Sequence, residues 1–335
     1  MMETLSSQFS QAISNVTVNG GRRGHAIAAH TEIRALLETN PLLRGFGVDT
    51  VLIGSYGRRT GIYPGKDVDV FVKLTELDTS SEPGRVFEAV HAPLLSHFGE
   101  ERVTPQARSV KVSYDVQGHE FSVDAVPAVR FNGRWALPTH DREFWTKGPQ
   151  ERWVETDPEA LTKLTEARNR VPLVGGDGAY IPTVKLVRQI RSDHLGEAKP
   201  GGLYFELACY WAFERGEVSG SSHAEILTTT LCSIARQLVS GVVLTDPVLG
   251  RPFAPAPELG DLQSAATAFA ALASQAEAAL QAERCPAAAI WRRLLGTNIR
   301  GHCFPLPSGC DESGRAITKV TPVAAQGAGA AGGFG

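Results

Sequence analysis

The segment from Gly54 to Val72, GSYGRRTGIYPGKDVDVFV, restricts the fold of this chain more than any other. The apolar run Val51-Leu52-Ile53 leads into Gly54-Ser55, so a strand is predicted to end in a turn whose backbone a phosphate can approach closely. Downstream, Asp67-Val68-Asp69-Val70-Phe71-Val72 alternates with period two, the pattern of a half-buried strand. Both carboxylates then share one face. Ionised at about 4 Å, they repel by roughly 4 kcal/mol at an effective dielectric of about 20. They must therefore protonate, spread apart or hold a cation, and a hard divalent metal is the simplest partner.

Taken singly, Gly-Ser ends many ordinary turns and a D-x-D pair is most often a solvated strand face. Their order and spacing together predict a third carboxylate on a neighbouring strand. Phe121-Ser122-Val123-Asp124-Ala125-Val126-Pro127 supplies it, since Asp124 stands in an apolar strand where an unpartnered acid is expensive to bury. Gly-Ser, the D-x-D pair and this later strand aspartate resemble the active site of the polymerase-beta-like nucleotidyltransferase superfamily.

At 335 residues the chain has room for a bilobed body or two domains. Its 42% hydrophobic and 21% charged residues are those of an ordinary soluble globular protein. A formal charge of -3 argues against an extended nucleic-acid surface and leaves small nucleotides as the better class of partner. No apolar run has the length of a membrane span, and the first residues lack a signal peptide's basic flank and apolar core, so a cytoplasmic enzyme is expected. The cysteines, Cys209, Cys232, Cys285, Cys303 and Cys310, do not form a secreted disulfide framework. They read as core thiols, with His302, Cys303, Cys310 and Cys285 as an alternative zinc set.

In chain order, Leu5 to Val18 is mildly amphipathic, and Ile27, Ile33, Leu36 and Leu37 form a helical stripe ending before Asn40-Pro41. Arg85 to Phe98 has helical spacing. Ser109 to Val116 and His119 to Val126 alternate on either side of Gln117-Gly118, a hairpin signature that delivers Asp124 beside the D-x-D strand. A mixed sheet with helices on one side follows. Beyond Pro138 the pattern is helical. Asp157 or Thr156 caps a helix opened by Pro158, and a helix from Pro182 carries Lys185, Arg188 and Arg191 as a basic stripe. The Leu203 to Phe213 helix is densely aromatic, and the segments Ala224 to Val239, Leu262 to Ala282 and Pro286 to Leu295 complete a helical half.

Within the superfamily, GS with Thr60, D-V-D-V, S-V-D-A-V-P, W-V-E-T-D-P, P-T-V-K-L-V, L-T-D-P-V-L and A-A-A-I-W-R-R-L-L-G together resemble the bacterial cGAS/DncV-like nucleotidyltransferases (CD-NTases). The likeness covers Val51 to Gly296. It implies an α+β polymerase-beta-like palm with a C-terminal helical lobe, divided as residues 1–150 (palm with an N-terminal spine helix), 151–300 (helical lid) and 301–335 (flexible tail). It further implies a cyclic di- or trinucleotide synthase in anti-phage defence, using ATP, GTP or other NTPs. Asp67, Asp69 and Asp124 would hold two Mg²⁺ ions, with Mn²⁺ as a substitute, and Asp124 would position or deprotonate the acceptor hydroxyl. Gly54 and Ser55 would meet the departing phosphates, and Lys185 would contact the donor triphosphate. Many members carry Ser and an aromatic residue where this chain has Gly202-Leu203, which leaves Tyr204 as the candidate to stack on a base.

The segment from Val323, VAAQGAGAAGGFG, has too little apolar bulk to fold. By the same resemblance, Gly335 is a candidate for conjugation to a ubiquitin-ligase-like partner. Two other function classes stay open on the residues alone. One is transfer of a nucleotide to an antibiotic, protein or RNA acceptor; the other is nucleotide binding without catalysis.

Overall fold

The computed structural model describes residues 5–18, 20–141, 152–174 and 177–317. Helix α1 (Ser6–Val16) leads to α2 (Gly20–Thr39) and the short α3 (Pro41–Gly45), which Asn40 caps by accepting from the Leu42 and Leu43 amides. Strand β1 (Val48–Ile53) runs straight into the single turn α4 (Gly54–Gly57), and β2 (Asp67–Asp78) follows. After α5 (Pro83–Phe98) come β3 (Val103–Pro105), β4 (Val110–Val116), β5 (His119–Phe131), β6 (Arg134–Pro138) and β7 (Trp153–Thr156).

These seven strands form one mixed sheet, with the path β1-β2-β5-β4-β3 and with β6 joining β5 to β7. Strand β5 is long enough to pair β4 through its first half and β6 through its end, along one edge, while its other edge runs parallel to β2. Both hairpins on β5 turn through residues with positive φ, Gln117-Gly118 (56° and 74°) and Asn132-Gly133 (47° and 76°), the backbone that fits the sheet's twist. Period-two alternation then decides the faces. Val68, Val70, Val72 and Leu74 of β2 and Val123, Ala125 and Val129 of β5 pack on α2 and α5. Asp67, Asp69, Phe71 and Lys73 are left on the opposite face, where Phe71 joins Ile53, Val126 and Ala128 in a small core of its own.

The remaining chain is helical: α6 (Pro158–Asn169), a ribbon of β8 (Pro172–Val174) and β9 (Asp177–Gly178), then α7 (Tyr180–Leu195), α8 (Gly202–Glu214), α9 (His223–Ser240), α10 (Leu259–Gln281) and α11 (Arg284–Leu295). As expected, Asp157 caps α6 by accepting from Ala160 N at 2.9 Å, with Pro158 in the first turn.

Packing departs from the expected division at three places. Helix α1 belongs to the helical half, where Phe9 sits edge-on to Trp291 and Phe304 at 5.0 and 5.1 Å. Strand β7 lies beyond residue 150 yet extends the sheet. Finally, residues 301–317 are not a loose tail. Cys303 and Phe304 are fully buried in the helical core, and Cys310 is disulfide-bonded to Cys285. That bond uses two members of the alternative zinc set, and among the described residues no three metal-ligating side chains cluster there. Gly335 lies outside the described residues. No helix among those described is long and apolar enough to cross a membrane.

Candidate active site

The three aspartates meet because of the β2–β5 register. In this parallel pair Asp69 is the partner of Asp124 and Asp67 the partner of Ser122, so the acids occupy adjacent strands on one face. Ser122 Oγ donates to Asp67 Oδ1 at 2.9 Å and fixes its orientation. Nothing in the sequence singled out Ser122, although its place two residues before Asp124 puts it on the same face. Lys111 of β4, the antiparallel partner of Asp124, brings a cation alongside.

Electrostatics follow from this crowding. Burial, then the Asp69 and Asp67 carboxylates, push the Asp124 carboxyl up to about 7, against the pull of Lys111. Asp69 is also raised, by burial first and Asp67 second, while Arg58 and Arg188 pull it down. Asp124 Oδ1 is buried and accepts no hydrogen bond. An oxygen left in that condition is costly unless a cation or donor reaches it. The donors present are hard oxygens, the set that suits a hard divalent cation. Among the described residues no three such side chains are arranged to hold a cation unaided, so a cation here must draw part of its shell from water or a ligand's oxygens.

Gly54 is what lets Asp69 sit where it does. Its φ is +64°, and a Cβ there would fall 1.7 Å from Asp69 Oδ2. The carboxylate therefore lies directly on the bare backbone of the turn. Ser55, next in sequence, lines two chambers of the cleft between sheet and helices. One, of about 380 Å³, is bordered by Gly54, Arg58, Asp69, Leu203 and Asp246. The other, of about 300 Å³, is bordered by Arg22, Lys66, Asp67 and Arg191. Arg188 also lines both. An open groove of about 930 Å³, bordered by Lys66, Lys111 and Arg102, adjoins Asp67 on the far side.

Two expected residues stand elsewhere. Tyr204 is 4% exposed, its ring edge-on to Phe205 and Phe253, so it is a core residue and does not face the cleft. Leu203, one position earlier and 41% exposed, lines the chamber instead. Lys185 does not line either chamber; its Nζ donates to Thr17 Oγ1 at 3.1 Å. Burial, then Arg59 and Arg23, pull its ammonium down.

Sequence reasoning also missed Glu206. Fully buried on α8, it accepts from Arg58 Nε at 2.5 Å and Thr60 Oγ1 at 3.0 Å, and pairs with Arg188 Nη1 at 3.4 Å. Removing one partner of such a buried network leaves an uncompensated charge, at a cost of about 3–5 kcal/mol.

Comparison with known proteins decides the family. The Second Messenger Oligonucleotide or Dinucleotide Synthetase (SMODS) domain matches residues 2–169, which contain all three aspartates. The chain belongs to the SMODS family. A cyclic AMP-AMP-AMP synthase of an Acinetobacter strain is 27% identical over 213 residues, 61% of this SMODS chain and 57% of that protein. A probable cyclic AMP-AMP-GMP nucleotide synthase of Salmonella paratyphi B is 26% identical over 96% of this chain and 98% of its own length. In architecture the SMODS chain is similar to CdnC of E. coli MS115-1, solved with ATP, at a TM-score of 0.65 and 17% identity over 88% of this chain and 99% of that one. It is a CD-NTase with the nucleotidyltransferase fold and an added helical region.

Proposed function

We propose that this CD-NTase condenses nucleoside triphosphates, ATP or GTP among them, into a cyclic di- or trinucleotide signal, releasing pyrophosphate, in the cytoplasm as part of anti-phage defence. The observation that carries the reading is the pairing of Asp69 with Asp124, whose Oδ1 is buried and unpartnered, at a cleft floored by Gly54 and Ser55.

Asp67, Asp69 and Asp124 would hold Mg²⁺, two ions in the full site, with Mn²⁺ able to replace it. Bound there, the metal would neutralise phosphate charge and lower the pKa of the attacking hydroxyl. The protein's own groups do the rest. Asp124, beside Asp69 on the neighbouring strand, is placed to orient the ribose hydroxyl or take its proton. The freed oxygen bonds to the α-phosphorus as the bond to the bridging oxygen breaks, and pyrophosphate departs with that electron pair. Gly54 and Ser55 meet those phosphates, and Arg188 lines the cleft beside them. Leu203 offers an apolar surface to a base. A second round on the repositioned linear product closes the ring.

Incubating the protein with labelled NTPs and Mg²⁺, then phosphatase, tests this. A phosphatase-resistant nucleotide is expected from the wild type and about 1,000-fold less from Asp69→Asn. Product formed only when an antibiotic, protein or RNA acceptor is added would overturn the cyclic product.

The reading extends to Gly335 as the point of conjugation to a ubiquitin-ligase-like partner. Co-expressed with such a partner, the full chain should give a conjugate on a denaturing gel, and a chain lacking its last residues should give none. Unchanged conjugates would rule the site out.

A further inference from the structure

Glu206 takes no part in the transfer chemistry above, yet among the described residues it is a fully buried carboxylate beside the cleft with three side-chain partners. Arg58 reaches it with Nε at 2.5 Å and Nη2 at 3.3 Å, Thr60 Oγ1 donates at 3.0 Å, and Arg188 Nη1 stands at 3.4 Å. Arg58 and Thr60 follow immediately on the α4 turn, Arg188 is on α7, and Glu206 is on α8. One carboxylate thus ties three segments, from both halves of the molecule, to one point.

Two guanidinium groups share the Glu206 carboxylate, which leaves one positive charge over among these three residues, and both also face the Asp69 carboxylate. That charge faces the cleft. Arg58, Arg188 and Ser55 line the same chamber, and Arg188 is 18% exposed against 1% for Glu206. Gly202 passes close to Arg188, and an added Cβ there would lie 3.2 Å from Nη2. Without the carboxylate between them, the two cations would repel and Arg188 would swing into the open cleft.

We propose that Glu206 is a positioning residue: it holds Arg58 and Arg188 side by side at the Ser55 end of the cleft, as a preset cationic seat for the outer phosphates of a bound nucleoside triphosphate. The inference rests on the nucleotidyl-transfer reading given above. A residue that merely pinned the two halves together would, when altered, weaken binding of every nucleotide alike. A residue that arranges a seat for the outer phosphates affects the triphosphate alone.

Calorimetric titration of the full chain separates these, using a nucleoside triphosphate with a methylene α,β-bridge and the matching monophosphate, both with Mg²⁺. Glu206→Gln keeps the shape and removes the charge. It is expected to weaken triphosphate binding by about tenfold or more and monophosphate binding by less than about twofold. If Glu206→Gln does not melt cooperatively, Glu206→Asp is used in its place, which keeps the charge but draws it back from both guanidinium groups; the same selective loss is expected. Wild-type preference for the triphosphate retained in the folded variant overturns the inference alone, as does an equal loss for both ligands. A wild type that binds neither nucleotide overturns the inference and the nucleotidyl-transfer reading together.

Discussion

Replacing Gly54 by alanine is expected to slow nucleotidyl transfer by about 100-fold or more while the protein still folds. The added Cβ would fall 1.7 Å from Asp69 Oδ2 and 2.7 Å from its Cγ. The backbone of Asp69 has little freedom to retreat, because β2 is hydrogen-bonded to β1 on one side and β5 on the other, with Asp69 paired to Ile53 and Asp124. The carboxylate must therefore rotate away, out of line with Asp124. A shift of about 1 Å in a reacting constellation is enough for a loss of that size. Alanine also disfavours the positive φ of +64° at this position, by roughly 1–2 kcal/mol, which appears as a melting point lower by a few degrees. Gly24→Ala, where a Cβ would meet nothing within 4 Å, is the control and should keep the wild-type rate. A Gly54→Ala protein as fast as the wild type would mean that Asp69 has no catalytic place to lose.

How much of this site was legible in the sequence depended on whether local rules fix the geometry. The parity of Asp67 and Asp69 was readable because a strand's faces alternate strictly, and Gln117-Gly118 gave the hairpin that carries Asp124. The register of β2 on β5 was not: the strands are parallel and joined through α5, so no tight turn sets it. The phase of α8 was equally hidden. Its residues are apolar nearly all round, and a step of one residue turns the side chain by about 100°, enough to exchange Leu203 at the cleft for Tyr204 in the core. Glu206 went unread for a related reason. It lies between Phe205 and Leu207 in a core helix, and its partner Arg58 is 148 positions away, beyond the reach of any periodicity. Helix α1 looked like the palm's neighbour because it precedes it, whereas packing follows its apolar face onto Trp291 and Phe304.

Asp124→Asn should move activity and stability in opposite directions. Transfer is expected to fall by about 1,000-fold, the scale of losing a positioned base. Without divalent cation at pH 8, however, the variant should melt a few degrees above the wild type. The reason is the crowding that raises the Asp124 carboxyl to about 7, whereas in the unfolded chain an aspartate titrates near its ordinary value of about 3.9. Between those two values the folded state holds a proton that the unfolded state has lost, so stability falls as pH rises through the window and levels off above about 7. Asparagine cannot ionise and escapes that loss. The advantage of the variant should accordingly shrink to nothing at about pH 4, where both states of the wild type keep the proton. Because the site is partly solvated, the gain stays modest at any pH. Adding Mg²⁺ at pH 8 should reverse the order: the cation compensates the ionised carboxylates of the wild type and raises its melting point, and it does much less for the variant. Thermal melts of both proteins across pH, with and without Mg²⁺, measure all of this. A variant no more stable than the wild type at pH 8 without cation would mean that Asp124 is not pressed against Asp69, and the cluster on which catalysis depends would be lost with it.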